Sequence, residues 1–336
     1  MISDLNIIFF GTPEFAAIIL DSLIKNNSKP VTVITAPDKP VGRHAYQQAG
    51  KQILTPPPVK VLSQKHNIPI LQPENLKENL NLKSEILNLK PDLFIVAAYG
   101  LILPQELLAI PKYGSLNIHP SLLPKYRGPS PIQATILNGD TETGVTIILM
   151  DEKMDHGPIL AKCKKQITNK ITTEELTKEL ADLGAKLLIE TLPKWINGEI
   201  KPIPQDHSKA TFTKIIKKED GQINWSNSAQ EIERMVRAYW PWPSAYTRIQ
   251  TTKPKIQNKI LKIIKADVLK IEHQKQPGMV FLTENKKLLV ACRENALILE
   301  EVQLEGKRQM TVQEFLNGYP EIVGSYLVNN KISANF

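Results

Sequence analysis

Polar, small and proline residues crowd together in Ser115-Leu-Asn-Ile-His-Pro-Ser-Leu-Leu-Pro-Lys-Tyr-Arg-Gly128. Asn117 and His119 stand two positions apart, so on an extended segment both side chains face the same side. An amide donor beside an imidazole can hold a developing oxyanion and pass a proton. Composition alone favours a plainer reading, with Asn117 capping a turn and His119 a satisfied core histidine. A second cluster, Leu149-Met-Asp-Glu-Lys-Met-Asp-His-Gly-Pro158, carries Asp151, Asp155 and His156 ahead of a Gly-Pro turn. An aspartate returning from it to His119 would fix the tautomer of the imidazole. A solvated hairpin loop with an ordinary Asp turn is the alternative. A metal held by His119, Asp155 and His156 matches no known ligand spacing, so no metal is expected.

Other segments offer less chemistry. Gly11-Thr-Pro-Glu-Phe15 has one glycine where a dinucleotide fingerprint needs three, and it is not a P-loop. The two cysteines, Cys163 and Cys292, exclude a disulfide framework and a four-thiolate zinc site, and they point to a reducing compartment. Both read as structural rather than nucleophilic.

The elements that must position these residues alternate in type. Asn6 to Phe10 reads as a strand, followed by a helix from Pro13 to about Lys25 and a β-branched strand at Val31 to Thr35. Residues 36–58 read as a long loop, with helices near 58–66 and 77–89. Leu93 to Ala98 is a continuous apolar run, as in a strand buried on both faces. A helix at 130–138, a strand at Val145 to Met150 and a long amphipathic helix at 172–197 complete a pattern that predicts a parallel, doubly wound sheet. Asn117 and His119 follow an apolar strand, where open α/β sheets place their ligands. Beyond residue 206 the pattern changes to a helix at 228–239, a Pro241-Trp-Pro243 turn, short β-rich runs and a final helix near 311–317. Those features read as a small barrel.

The chain has 336 residues, which at roughly 100–200 per domain predicts about two domains. Its formal net charge is +8, a balance that favours a polyanionic partner. Residues 206–336 hold 20 Lys and Arg against 14 Asp and Glu, whereas residues 1–205 hold 22 against 20. Seven lysines between Lys253 and Lys275 form a candidate patch, although a solvated surface explains each of them singly. The start of the chain carries Asp4 and lacks a basic stretch before its apolar run, and no run approaches the ~20 residues of a membrane span. A cytoplasmic protein is expected.

Taken together, Phe9-Phe-Gly-Thr-Pro-Glu-Phe-Ala16, Ala36-Pro-Asp-Lys-Pro-Val-Gly-Arg43, Ala97-Ala-Tyr-Gly-Leu-Ile-Leu-Pro104, Asn117-Ile-His-Pro-Ser-Leu-Leu-Pro124 and Met154-Asp-His-Gly-Pro158 resemble the methionyl-tRNA formyltransferase family. Lys217-Lys-Glu-Asp-Gly-Gln-Ile-Asn-Trp225, Ile232-Glu-Arg-Met-Val-Arg237 and Pro241-Trp-Pro-Ser-Ala-Tyr246 extend the resemblance over nearly the whole chain. The Asn-x-His-x-Ser-Leu-Leu-Pro segment alone marks only the wider folate-dependent formyltransferase superfamily.

The resemblance implies an α/β fold, with a Rossmann-like parallel-sheet domain over residues 1–197, a linker at 198–208 and an OB-like β-barrel domain over 209–336. It implies transfer of the formyl group of 10-formyltetrahydrofolate to the α-amino group of methionyl initiator tRNA, without metal, by a monomer that engages neither DNA nor membrane. By resemblance, Asn117, His119 and Asp155 fill catalytic positions, and Ser121, Leu122, Leu123 and Pro124 match a folate-binding segment. The loop through Arg43 and Lys51 matches one that reaches the tRNA acceptor stem, but residues 41–55 are longer and less basic than the family pattern. A glycinamide ribonucleotide formyltransferase would need a glycine-rich phosphate loop after the first strand. A sugar-nucleotide formyltransferase would lack the segment from Pro37-Asp-Lys-Pro to Thr55-Pro-Pro-Pro. An RNA-binding protein that kept the fold and lost the chemistry fits poorly with three occupied catalytic positions.

Overall fold

The computed structural model describes residues 4–40, 54–76 and 79–329. The chain divides into two compact units: Met1–Pro131, Thr141–Ile167 and Glu175–Lys214 form one, and Ile132–Asp140, Thr168–Glu174 and Ile215–Phe336 the other.

The first unit runs through β1 (Ile7–Gly11), α1 (Glu14–Lys25), β2 (Thr32–Ile34), β3 (Lys39–Pro40), β4 (Leu54–Thr55), α2 (Pro58–Lys65), β5 (Ile70–Leu71), α3 (Leu80–Asn88), β6 (Leu93–Ala97), α4 (Gln105–Leu108) and β7 (Ser115–His119). The chain then passes through α5 (Pro131–Asn138), which falls almost wholly in the second unit, and returns as β8 (Glu142–Leu149), β9 (Ile159–Gln166) and most of α6 (Thr173–Ile196). The main sheet has seven strands in the order β5-β2-β1-β6-β7-β8-β9. Every residue of β1 and β6 is buried, as their unbroken apolar sequences require of strands covered on both faces. Phe10, Phe94 and Tyr99 cluster with Ile8, Ile34, Leu82 and Leu107 in its core.

The expected parallel sheet extends from β5 through β7, and the last two strands run antiparallel. The reason for the β8–β9 direction is local. Residues 150–158 join them, which is shorter than the dozen or more residues that a parallel crossover needs. Along β7 the side chains alternate, so Leu116 and Ile118 face away from Asn117 and His119. A Cβ added at Gly184 of α6 would lie 2.9 Å from Ile118 Cγ2 and 3.3 Å from Val145 Cγ1, so the helix backs closely onto β7 and β8 at this glycine.

Chain beyond α6 stays attached to this unit. Ile203 exchanges both backbone hydrogen bonds with Ile159, at 2.8 and 2.9 Å. Arg127 donates its N–H to Thr211 O and accepts from Thr213 N.

The second unit contains α7 (Ala229–Tyr239), β10 (Ala245–Gln250), β11 (Ile260–Leu269), β12 (Val280–Leu282), β13 (Leu288–Ala291), β14 (Ala296–Leu304), β15 (Gln309–Thr311), α8 (Val312–Gly318) and β16 (Tyr326–Val328). Its antiparallel strands follow the order β12-β13-β14-β11-β10-β16, with β15 beside β14. A bridge between Met279 and Tyr326 brings the two ends of that order together, giving a nearly closed barrel. Ser228 with Glu231 and Thr311 with Glu314 form reciprocal capping boxes that start α7 and α8. The barrel core gathers Trp225, Ile232, Val236, Leu261, Val290, Leu297 and Phe315.

Candidate active site

β7 delivers Asn117 and His119 to one point because it is fixed on both sides. Asn117 pairs with Val96 of β6 and Ile148 of β8, and His119 pairs with Thr146 of β8. The turn after β8 returns Asp155 to them. Asn117 Nδ2 donates to Asp155 Oδ1 at 3.1 Å, and His119 Nδ1 lies 3.5 Å from the same oxygen. The other carboxylate oxygen accepts from Gly128 N at 2.7 Å. The His119 and Asp155 side chains are only 5% and 11% exposed, so their charges act with little solvent screening.

The hydrogen-bond roles can be assigned. His119 Nε2 is 2.9 Å from Tyr126 O, and a carbonyl only accepts, so Nε2 is the donor. Nδ1 faces a carboxylate, so an imidazole with a proton on each nitrogen satisfies both neighbours. The second N–H of Asn117 Nδ2 has no partner among the described residues and is available to a substrate oxygen.

Asp155 adopts φ +50, a region that most non-glycine residues avoid. The turn also depends on Gly157, where a Cβ would stand 1.9 Å from Leu149 O. Two residues with no role in the sequence reading surround this turn. Gln205 Nε2 donates to Asp155 O at 2.9 Å and to Gly157 O at 2.7 Å. Arg127, buried at 4% exposure, donates to Gln205 Oε1 through Nε at 3.2 Å and Nη2 at 2.7 Å. Arg127 lay inside the polar cluster of the sequence. Gln205 sat between Pro204 and Asp206 in a stretch that composition marks as a connection, and no local signal distinguished it.

Beside this group lies a second pair. His156 Nδ1 is 2.6 Å from Asp151 Oδ2, and the His156 ring stacks on His207 with centroids 4.1 Å apart. His207 Nδ1 is 2.8 Å from Arg127 Nη2. Desolvation by the groups packed on the exposed His207 ring, then the neighbouring His156 and Arg127, hold its pKa below the ordinary value. Among the described residues no group of three or more His, Cys, Asp or Glu is placed to hold a metal ion.

The segment matched to folate binding forms a tight turn. Ser121 N donates to His119 O, and Ser121 Oγ donates to Lys125 O at 2.6 Å. Ser121 O and Leu123 N both bond Thr146 Oγ1. Ser121 and Leu123 are fully buried, whereas Leu122 and Pro124 are half-buried. Arg43 and Lys51 lie outside the described residues. The β3–β4 ribbon that flanks their segment is pinned by Asp38, which accepts from Lys60 Nζ on both oxygens at 2.8 Å and from Gln72 at 2.9 Å. Those bonds, Gln72 first, hold the Asp38 carboxyl below its ordinary pKa.

In the barrel unit, Lys255, Lys265 and Lys275 contact Tyr319, Glu300 and Phe281 respectively. Lys253, Lys259, Lys262 and Lys270 have no side-chain partner among the described residues. The tryptophans separate: Trp225 is buried and donates to Thr247 Oγ1, while Trp242 is 58% exposed. Burial pushes the Cys292 thiol up to about 12. No helix among the described residues is long and apolar enough to cross a membrane.

Known proteins match both parts of the chain. Residues 5–192 match the Formyl transferase family, and residues 215–320 match the Formyl transferase, C-terminal domain family. A methionyl-tRNA formyltransferase of Chloroflexus aurantiacus is 45% identical over 94% of this chain and 97% of its own. One from Bacillus velezensis is 42% identical over 93% and 94%. Among solved structures, HypX from Aquifex aeolicus in complex with tetrahydrofolic acid matches with TM-score 0.61 and 17% identity, over 95% of this chain and 48% of its own. An N-formyltransferase from Helicobacter canadensis matches with TM-score 0.60 and 22% identity, over 88% and 98%. At these identities the structural likeness concerns the fold.

Proposed function

The chain belongs to the methionyl-tRNA formyltransferase family, and from that premise we propose that Asn117, His119 and Asp155 carry its formyl transfer. The reaction moves the formyl group of 10-formyltetrahydrofolate to the α-amino group of methionyl initiator tRNA. The observation that carries the assignment is the convergence of Asn117 and His119 on one oxygen of a buried carboxylate.

A neutral amine is already a good nucleophile, so no covalent enzyme intermediate is needed. Its attack on the formyl carbon gives a tetrahedral oxyanion. The free N–H of Asn117 and the doubly protonated His119 stabilise that charge where it develops. Asp155 pairs with the imidazolium and, through a water, relays a proton from the amine to N10 of the departing folate. Ser121, Leu122, Leu123 and Pro124 form the turn against which the folate rests. Arg43 and Lys51, with Lys253, Lys259, Lys262 and Lys270, which have no side-chain partner among the described residues, supply contacts to tRNA phosphates. We read residues 1–197 as the catalytic domain, 198–208 as the connection and 209–336 as the tRNA-binding domain of a cytoplasmic monomer that engages neither DNA nor membrane.

The test is formyl transfer to methionyl initiator tRNA, with a nucleotide-sugar amine as control acceptor. Wild-type enzyme should formylate only the tRNA. Asn117→Ala or His119→Ala should lower kcat at least about tenfold while tRNA binding holds. Near-normal turnover in both variants would sink the assignment. Neutralising Lys253, Lys259, Lys262 and Lys270 together should flatten the salt dependence of tRNA affinity. An unchanged slope would remove them from the interface.

A further inference from the structure

We propose that Gln205 is a positioning residue for formyl transfer, holding the turn that aims the Asp155 carboxylate at Asn117 and His119. The inference rests on the assignment of Asp155 to the reaction.

Gln205 is 6% exposed, and its amide is fully occupied. Both of its donated bonds end on the catalytic turn, at Asp155 O and Gly157 O, and both bonds to its carbonyl come from Arg127. A primary amide has two donor hydrogens and two acceptor lone pairs, so none is left over. The carbonyls it grips flank His156 in the one turn where Asp155 takes positive φ. Gln205 is itself fixed, because Ile203 is paired in both directions with Ile159.

Arg127 gives this contact its strength. The guanidinium is buried and has no carboxylate partner among the described residues. Its charge falls on Gln205 Oε1 and on His207 Nδ1. A cation on the amide oxygen polarises the amide and strengthens the two N–H bonds that it donates. The main chain next to Arg127 acts on the same residue from the other side, since Gly128 N donates to Asp155 Oδ2. Asp155 is therefore held at its carbonyl by Gln205 and at its carboxylate by Gly128. Loss of the first grip lets the carboxylate drift from Asn117 and His119 without touching either.

The experiment compares Gln205→Glu, Gln205→Leu, Asp155→Asn and the double variant Asp155→Asn/Gln205→Glu in the full chain. Kinetics with 10-formyltetrahydrofolate and methionyl initiator tRNA are run where thermal unfolding shows every variant folded. Gln205→Glu keeps the shape and an oxygen for Arg127 but removes both donors. We expect Gln205→Glu and Gln205→Leu each to lower kcat by roughly 10–100-fold, because misplacement in an active site acts on the transition state, with KM for both substrates within about threefold. The double variant should turn over no more slowly than Asp155→Asn within about twofold, because residues acting as one unit are not additive. Wild-type kcat in both Gln205 variants alongside a crippled Asp155→Asn overturns the positioning role and leaves Asp155 in place. Losses that multiply in the double variant, or a raised KM at unchanged kcat, also overturn it. Wild-type kcat in Asp155→Asn removes the Asp155 assignment itself.

Discussion

Asp151 and Asp155 occupy the same turn after β8, and each faces an imidazole. Asp151 Oδ2 sits 2.6 Å from His156 Nδ1, with the side chains 36% and 28% exposed. Asp155 Oδ1 sits 3.5 Å from His119 Nδ1, with 11% and 5% exposed. By distance alone the first pair would be the stronger. It is also the one that water screens, and exposed ion pairs contribute only about 0–1 kcal/mol. The longer pair lies where screening is weak and where Asn117 and Gly128 also donate to the carboxylate. In this loop, burial and the set of neighbours, and not the shortest contact, distinguish the pair proposed for the chemistry from the pair that water screens.

Mutation can break or sharpen that contrast. The largest effect is expected from Asp155→Asn, a loss of roughly 10²–10⁴-fold in kcat, read by steady-state formyl transfer. An equal loss in Asp151→Asn would erase the distinction between the pairs. Asn117→Ala removes a donor for the oxyanion and should cost about 10²–10³-fold, with folate affinity little changed in a titration. Gly157→Ala drives a Cβ into Leu149 O, so the turn must move. Turnover should drop about tenfold or more, since small misplacements in a site carry large penalties, with a lower Tm. Retained activity would mean that the turn tolerates displacement. Asp151→Asn should leave kcat within about twofold and stability within about 0.5 kcal/mol, as for other surface substitutions. The smallest effect concerns pH. His207 binds its proton more weakly in the fold than in the unfolded chain, so the unfolded chain takes up the proton first as pH falls below the ordinary histidine range. Stability should therefore fall with pH through that window. His207→Gln should flatten this part of a Tm–pH profile, and an unaltered profile would assign the slope to another group.

The legible parts of the site share one property: their signals are local. Asn117 and His119 alternate on a strand, so period alone put them on one side, whereas the choice of Asp155 over Asp151 came from the family resemblance. The continuous apolar runs of β1 and β6 likewise declared a buried sheet. The antiparallel edge was less visible, because strand direction depends on how the chain returns. Gln205 was invisible for a similar reason. Its neighbours Pro202 and Pro204 and the preceding Gly198 mark a connection, whereas its function comes from pairing with Ile159 and Arg127, far away in sequence. The lysines were legible as a group but not one by one, since only packing tells Lys265, bound to Glu300, from Lys262, bound to no side chain among the described residues.

The proline-flanked Ile203 also governs how the sheet ends. β9 is the outermost strand, and an outer strand offers its backbone to any passing extended chain. Ile203 takes up one residue of that offer, and Pro202 and Pro204, whose backbone groups point away from β9, offer no N–H to a further strand. Farther along, β9 presents Lys162, Lys164 and Lys165, which resist burial beneath another strand. The folded protein thus meets other copies with an edge that is pinned at one end and charged at the other, which disfavours strand-to-strand aggregation.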